Sequence, residues 1–237
     1  MSGIYKGSLF RSLFSNKEAF LSLYNAVIEK NYDETTDVLV LINTLPETLF
    51  TMRKNDISAI IAGIIVIATE HQSRLNENIP LRFLPQIARL FENNITDKSA
   101  IYREKRIKIP RPEFIVFCKD PAMKEARQTF KLSDAFADTG EGGGVKLELV
   151  VTVININAGF NQGILEKCPL LKGYVTYIAR VEAEQKRIAQ ENPAMMRVPV
   201  RKKAIADSIS YCTGHNIIGG KHADGRMEFR GCHKGNP

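Results

Sequence analysis

The sequence predicts an α/β fold, a sheet flanked by helices with a helical appendage toward its C-terminal end. Three observations point there. Residues 57–61 and 64–68 are nearly continuous runs of Ile, Val and Ala, the pattern of strands buried on both faces. Residues 8–30 and 80–93 carry apolar side chains at helical spacing. Beyond Asn155 the character changes to helix, as far as a glycine-rich polar tail.

The elements follow in chain order. Leu9, Leu13, Phe14, Phe20, Leu21, Tyr24, Val27 and Ile28 line one side of an opening helix over residues 8–30. Residues 37–43, centred on Val38-Leu39-Val40-Leu41-Ile42, read as a first strand. Residues 50–61 and 64–72 read as a hairpin turning at Ala62-Gly63. Pro80 opens a second helix running to about residue 93, with Leu81, Leu84, Ile87, Ala88, Leu90 and Phe91 toward the sheet and Pro85 as a bend. Residues 114–117 and 147–154 supply two further strands. The Gly140-Glu141-Gly142-Gly143-Gly144 loop before the last strand lacks a following Lys-Ser/Thr, so it is a connector and not a phosphate cradle. Residues 162–168, 173–190 and 200–212 read as helices, with Pro193 and Pro199 bracketing the break between the last two. The expected organisation is a core over residues 1–157, a helical region over 158–215, and a disordered or aberrant tail over 216–237. That glycine-rich polar tail reads as the end of a truncated or frame-shifted gene.

Chemistry concentrates at the hairpin. Antiparallel pairing about Ala62-Gly63 sets Asp56 opposite Thr69 or Glu70, according to whether the loop holds two residues or three. Alternation puts Glu70 and Gln72 on one face and His71 on the other. Two carboxylates and an amide oxygen then converge within roughly 5 Å, the spacing of cross-strand neighbours. This hard-oxygen set suits Mg²⁺, which takes one or two carboxylates and keeps waters for substrate phosphates. Carboxylates at strand ends are ordinarily just solvated. Here they adjoin apolar runs, where a charge needs a partner or a cation. His71 reads as a structural histidine.

The charge balance narrows the partners. Lys and Arg number 33 against 26 Asp and Glu, a formal net charge of +7 in 237 residues, which favours a polyanion such as nucleic acid. Arg103, Lys105, Arg106, Lys108 and Arg111 crowd one connection, and Arg197, Arg201, Lys202 and Lys203 crowd the last helix. Both groups are candidate phosphate contacts, supplying affinity and register rather than sequence choice. Arg82 and Arg89, on the helix after the hairpin, are candidates to neutralise a developing phosphate charge, with a salt bridge to a core acid as the competing role. Met1-Ser2-Gly3-Ile4-Tyr5-Lys6 has no apolar h-region, and the longest apolar stretch is too short and glycine-broken to span a bilayer. A cytoplasmic protein with no membrane partner is expected. Cys118, Cys168, Cys212 and Cys232 lack paired spacing and read as free thiols. Cys212 and His215, with His222, Cys232 and His233 downstream, form only an irregular zinc pattern.

Several blocks together resemble a known family. They are Phe10-Arg11-Ser12-Leu13-Phe14, Leu21-Ser22-Leu23-Tyr24-Asn25-Ala26, Lys54-Asn55-Asp56-Ile57-Ser58, Glu70-His71-Gln72-Ser73 and Ile79-Pro80-Leu81-Arg82-Phe83-Leu84. Further along come Ile107-Lys108-Ile109-Pro110-Arg111-Pro112-Glu113-Phe114, Lys131-Leu132-Ser133-Asp134-Ala135-Phe136 and Ile164-Leu165-Glu166-Lys167-Cys168. In this order, over residues 5–216, they resemble the PD-(D/E)XK nuclease-like superfamily, in its recombination-promoting nuclease or putative transposase branch. The resemblance implies a restriction-endonuclease-like mixed sheet flanked by helices and a Mg²⁺-dependent DNA endonuclease, with Mn²⁺ as an alternative ion. It implies Asp56 and Glu70 as metal ligands and catalytic residues. Gln72 stands where the wider superfamily has lysine, orienting water or phosphate without lysine's charge. Gly7 replaces an acidic residue common in relatives, and the tail departs from their helix. These departures make DNA binding without cutting one competing expectation. A helical protein-interaction module, pairing with a partner or a second copy through residues 182–190, is the other.

Overall fold

The computed structural model describes residues 4–33, 35–42, 57–72, 74–137, 144–194, 197–215, 217–221 and 227–229. It is an α/β chain whose residues divide into two units, one of Met1–Phe20 with Asn31–Asn161, the other of Leu21–Lys30 with Gln162–Pro237.

The first unit is built on a six-stranded mixed sheet. Its strands are β1 (Val38–Ile42), β2 (Ile57–Ile61), β3 (Ile64–Gln72), β4 (Arg111–Cys118), β5 (Arg127–Lys131) and β6 (Val150–Asn155), in spatial order β1-β2-β3-β4-β6-β5. The pairs β1·β2, β2·β3 and β5·β6 are antiparallel, whereas β3·β4 and β4·β6 are parallel. The parallel step from β3 to β4 needs a crossover, and α3 (Ile79–Asn94) followed by a 3-10 turn, Lys98–Tyr102, supplies it. Ile57, Ala59, Ile61, Ile65 and Val66 are wholly buried, as the continuous apolar runs require.

Two helices cover this sheet. Phe10 of α1 (Ile4–Leu13) lies 5.6 Å from Phe117 of β4. Phe83 of α3 stacks 5.3 Å from Phe114, three residues earlier on the same strand and therefore on its opposite face. Ile79, Phe83, Ile87 and Leu90 close the core on that face with Ile65, Phe114, Val116 and Cys118. Pro85 does not end α3. The carbonyl it leaves unpaired belongs to Leu81, which is half exposed and open to water.

Four sequence expectations needed correction. The opening helix is two helices, α1 and α2 (Lys17–Ile28). Asn16 separates them, its Oδ1 accepting from the Ala19 amide at 2.8 Å as an N-cap does. β5 had not been expected, because Phe130 alone on it faces the core. The last strand begins at Val150 and not at Leu147. Glu148 instead accepts hydrogen bonds from the Ser133 amide at 3.1 Å and hydroxyl at 2.7 Å. Finally, two parts of the tail, β7 (Ile218–Lys221) and β8 (Met227–Phe229), pair as an antiparallel ribbon.

The second unit contains α4 (Gln162–Lys167), α5 (Pro169–Glu191) and α6 (Arg197–Gly214). Pro169 and Pro199 fall in the first turns of α5 and α6, where the missing amide costs no helical hydrogen bond. Ile188 of α5 packs with Val200 and Ala204 of α6. Glu184, buried on α5, pairs with Arg180 at 3.6 Å and with Arg187. Arg180 also lies over the Tyr211 ring at 4.2 Å. Among the described residues, no helix is long and apolar enough to cross a membrane.

Candidate metal and nucleic-acid site

The hairpin forms about a two-residue turn. Ala62 and Gly63 both have positive φ, 47° and 77°, as a turn matched to the right-handed twist of its strands requires. The pairing runs from Ile61↔Ile64 to Ile57↔Ala68. This is the two-residue alternative of the sequence, the one in which position 56 corresponds to Thr69. Asp56 itself lies outside the described residues. Glu70, His71 and Gln72 are described as backbone of β3, and their side chains lie outside what is described.

One backbone feature bears directly on this triplet. β3 and β4 pair continuously from Ile64↔Arg111 to Thr69↔Val116, and pairing resumes at Gln72↔Cys118. Three steps on β3 therefore match two on β4, so one extra residue is accommodated between Thr69 and Gln72. The strict alternation expected to carry Glu70 and Gln72 to one face is interrupted there. Bulges of this kind concentrate beside active sites, where they re-aim side chains.

The same end of the sheet carries a polar network that sequence reading missed. Asp120, two residues beyond β4, accepts from the Leu75 amide at 2.8 Å through one oxygen and from the Ala122 amide at 2.9 Å through the other. It thereby ties the segment leaving β3 to the segment leaving β4. The hydrogen bonds from Ala122 and Leu75, with the charge of Arg74 adding to them, hold its carboxyl below the usual range. Asn155, fully buried, donates to the carbonyls of Met123 at 3.1 Å and Glu125 at 3.0 Å. Asn157 donates to the Asp120 carbonyl at 2.8 Å, and Asn161 to those of Ala126 at 2.6 Å and Asn155 at 2.8 Å. Asp120-Pro121 was the legible signal, as a turn initiator. The asparagines gave none, since their partners are backbone carbonyls roughly 30 residues away in sequence.

The basic residues separate into distinct settings. Arg103, Lys105, Arg106 and Lys108 all line one cavity of about 480 Å³, together with Asp97, Ala100 and Ile107. Arg103 is held there by Asp97 at 2.8 Å and Ser99 at 2.7 Å. Arg111, at the start of β4, bonds Glu113 at 2.8 Å instead. Arg82 and Arg89 are half-buried on α3, seven residues apart and so on nearly the same side of it. Arg201, Lys202 and Lys203 lie on α6 in the other unit, Arg201 half-buried and the two lysines exposed. Lys203 is near enough to Glu184 to add to the effect of Arg187, whose hydrogen bond chiefly keeps that carboxyl ionised.

Among the described residues, no group of three His, Cys, Asp or Glu side chains is placed to hold a metal; the side chains of Asp56 and Glu70 are not in that set. Cys118, Cys168 and Cys212 are buried free thiols, and burial pushes the Cys212 thiol up. His215 stacks on Tyr211 at 3.9 Å, while His222, Cys232 and His233 lie outside the described residues. Compared with known proteins, the chain matches no family model, no curated protein and no solved structure.

Proposed function

We propose that the chain is a Mg²⁺-dependent DNA endonuclease of restriction-endonuclease-like fold, acting in recombination or transposition. The supporting observation is the β2–β3 hairpin. It keeps its register through Ile57↔Ala68, the last described pair before Asp56, within a mixed sheet whose next strand runs parallel. The donor set of Asp56 and Glu70, with the Gln72 amide, offers only hard oxygens, which fits Mg²⁺ or Mn²⁺.

When bound, such an ion polarises the scissile phosphate and lowers the pKa of the attacking water. The chain's own residues do the rest. Asp56 and Glu70 hold the ion, and Gln72 orients water or phosphate through its amide. Arg82 and Arg89 supply positive charge toward the phosphate, and the remaining basic residues bind the backbone of the nucleic acid. In cleavage of labelled DNA, Asp56→Ala and Glu70→Ala should each lower the metal-dependent rate about a hundredfold or more, the scale of losing one preorganised charge contact. Rates unchanged in both folded variants would exclude the hairpin as the active centre.

The register interruption at Thr69–Gln72, together with a neutral amide in place of lysine, favours a second reading in which the fold binds DNA without cutting it. Salt-sensitive binding with no metal-dependent cleavage by the wild type would select it.

A further inference from the structure

The segment between α3 and β4 has a composition that phosphate contact alone does not explain. Lys105, Arg106 and Lys108 are exposed, and among the described residues none of them has an ion-pair or hydrogen-bond partner. They line the same cavity as Ile107 and the Asp97-anchored Arg103. Its volume of about 480 Å³ lies within the range that takes a small organic ligand. Between two of the lining residues, Ala100 and Arg103, stands Tyr102, 91% exposed. Ile101, next to it in sequence, and Ile109, at the end of the segment, are exposed as well. An aromatic ring left almost wholly in water gains nothing from burial. Polyanion binding by charge requires lysines and arginines but no exposed ring.

We infer that residues 97–109 form a binding site for single-stranded nucleic acid. Tyr102 is its stacking platform, and Lys105, Arg106 and Lys108 take the backbone phosphates around the cavity. A single strand suits both halves of the site. Its bases have free π-faces for the ring, whereas in a duplex those faces are covered by neighbouring base pairs. Arg103 is fixed by Asp97 and Ser99, so it frames the cavity while the three unpaired cations engage the strand. Glu104, the one acid between them, disfavours an acidic peptide no less than a nucleic acid, and it is the ring that selects the base-bearing ligand.

This inference rests on the nucleic-acid partner of the preceding section but not on catalysis. It is therefore tested on full-length Glu70→Gln protein with a chelator present, by fluorescence anisotropy of a short labelled oligothymidylate and of a duplex of matched length. Tyr102→Ala should weaken the single strand about tenfold, the scale of one lost stacked base, and leave the duplex nearly unchanged. Replacing Lys105, Arg106 and Lys108 by Ala should reduce the salt slope for the single strand by about 2, at roughly 0.7 per phosphate. Tyr102 touches no core, so the variant's thermal midpoint should match the parent's. Equal loss on both ligands, or none on the single strand, overturns the inference even if metal-dependent cleavage is observed. A Tyr102-dependent loss on the single strand in a protein that never cuts DNA sustains it while removing the nuclease reading.

Discussion

Single residues set the limits of this fold's stability. Ala62 sits at φ 47° in the hairpin turn, a left-handed conformation that costs an L-residue with a Cβ roughly 1–2 kcal/mol. Ala62→Asn, the residue favoured before glycine in such turns, should raise unfolding stability by about 1 kcal/mol, read as a higher urea midpoint. At acid pH, Asp120 and Glu184 contribute to the expected dependence together with Asp33, Asp97 and Glu148, since all five carboxyls are held below their ordinary values. A carboxylate with a depressed folded pKa adds stability above its unfolded pKa, and that stability is lost as pH falls through the folded value. Thermal melts below about pH 4 should therefore show a steep decline, flattened in Asp120→Asn and Glu184→Gln. On the alkaline side, burial pushes the Tyr177 phenol up to about 12. Its contribution is whole below its unfolded pKa near 10 and is lost as pH rises toward 12. Tyr177→Phe should remove that decline.

At the scale of elements, legibility followed burial. β2, β3 and β4 occupy the middle of the sheet, so Ile57–Ile61, Ile64–Ala68 and Phe114–Cys118 within them are nearly continuous apolar runs and could be read directly. β5 lies at the edge with only Phe130 facing inward, which leaves too little period-2 signal to read. The division of the opening helix was readable in principle from Asn16, but continuous amphipathicity on both sides of it masked the cap. The extra residue between Thr69 and Gln72 was not readable at all, because pairing with β4 across a parallel crossover determines it. This feature matters most for the site, since the expectation of Glu70 and Gln72 sharing a face rested on unbroken alternation. α3 is the element on which the β3–β4 crossover depends. Phe83→Ala, which removes a ring stacked on Phe114, should cost about 3–5 kcal/mol in equilibrium unfolding.

At the scale of the whole molecule, the excess of cations is dispersed over both units, on α3, its following loop, β4 and α6. Charge spread in this way gives salt-dependent, sequence-tolerant affinity for a polyanion, whereas the proposed chemistry requires the oxygen donors of Asp56 and Glu70. The two properties are separable, so nucleic-acid binding by itself does not test catalysis at the hairpin. The most direct measurement is plasmid nicking by the wild type and by Glu70→Gln across a Mg²⁺ titration, with both proteins shown to be folded. Nicking should rise with Mg²⁺ in the wild type and fall about a hundredfold or more in the variant. Nicking of equal rate in the two, or none by the folded wild type at any Mg²⁺ concentration, would rule out a Mg²⁺-dependent active centre at the hairpin.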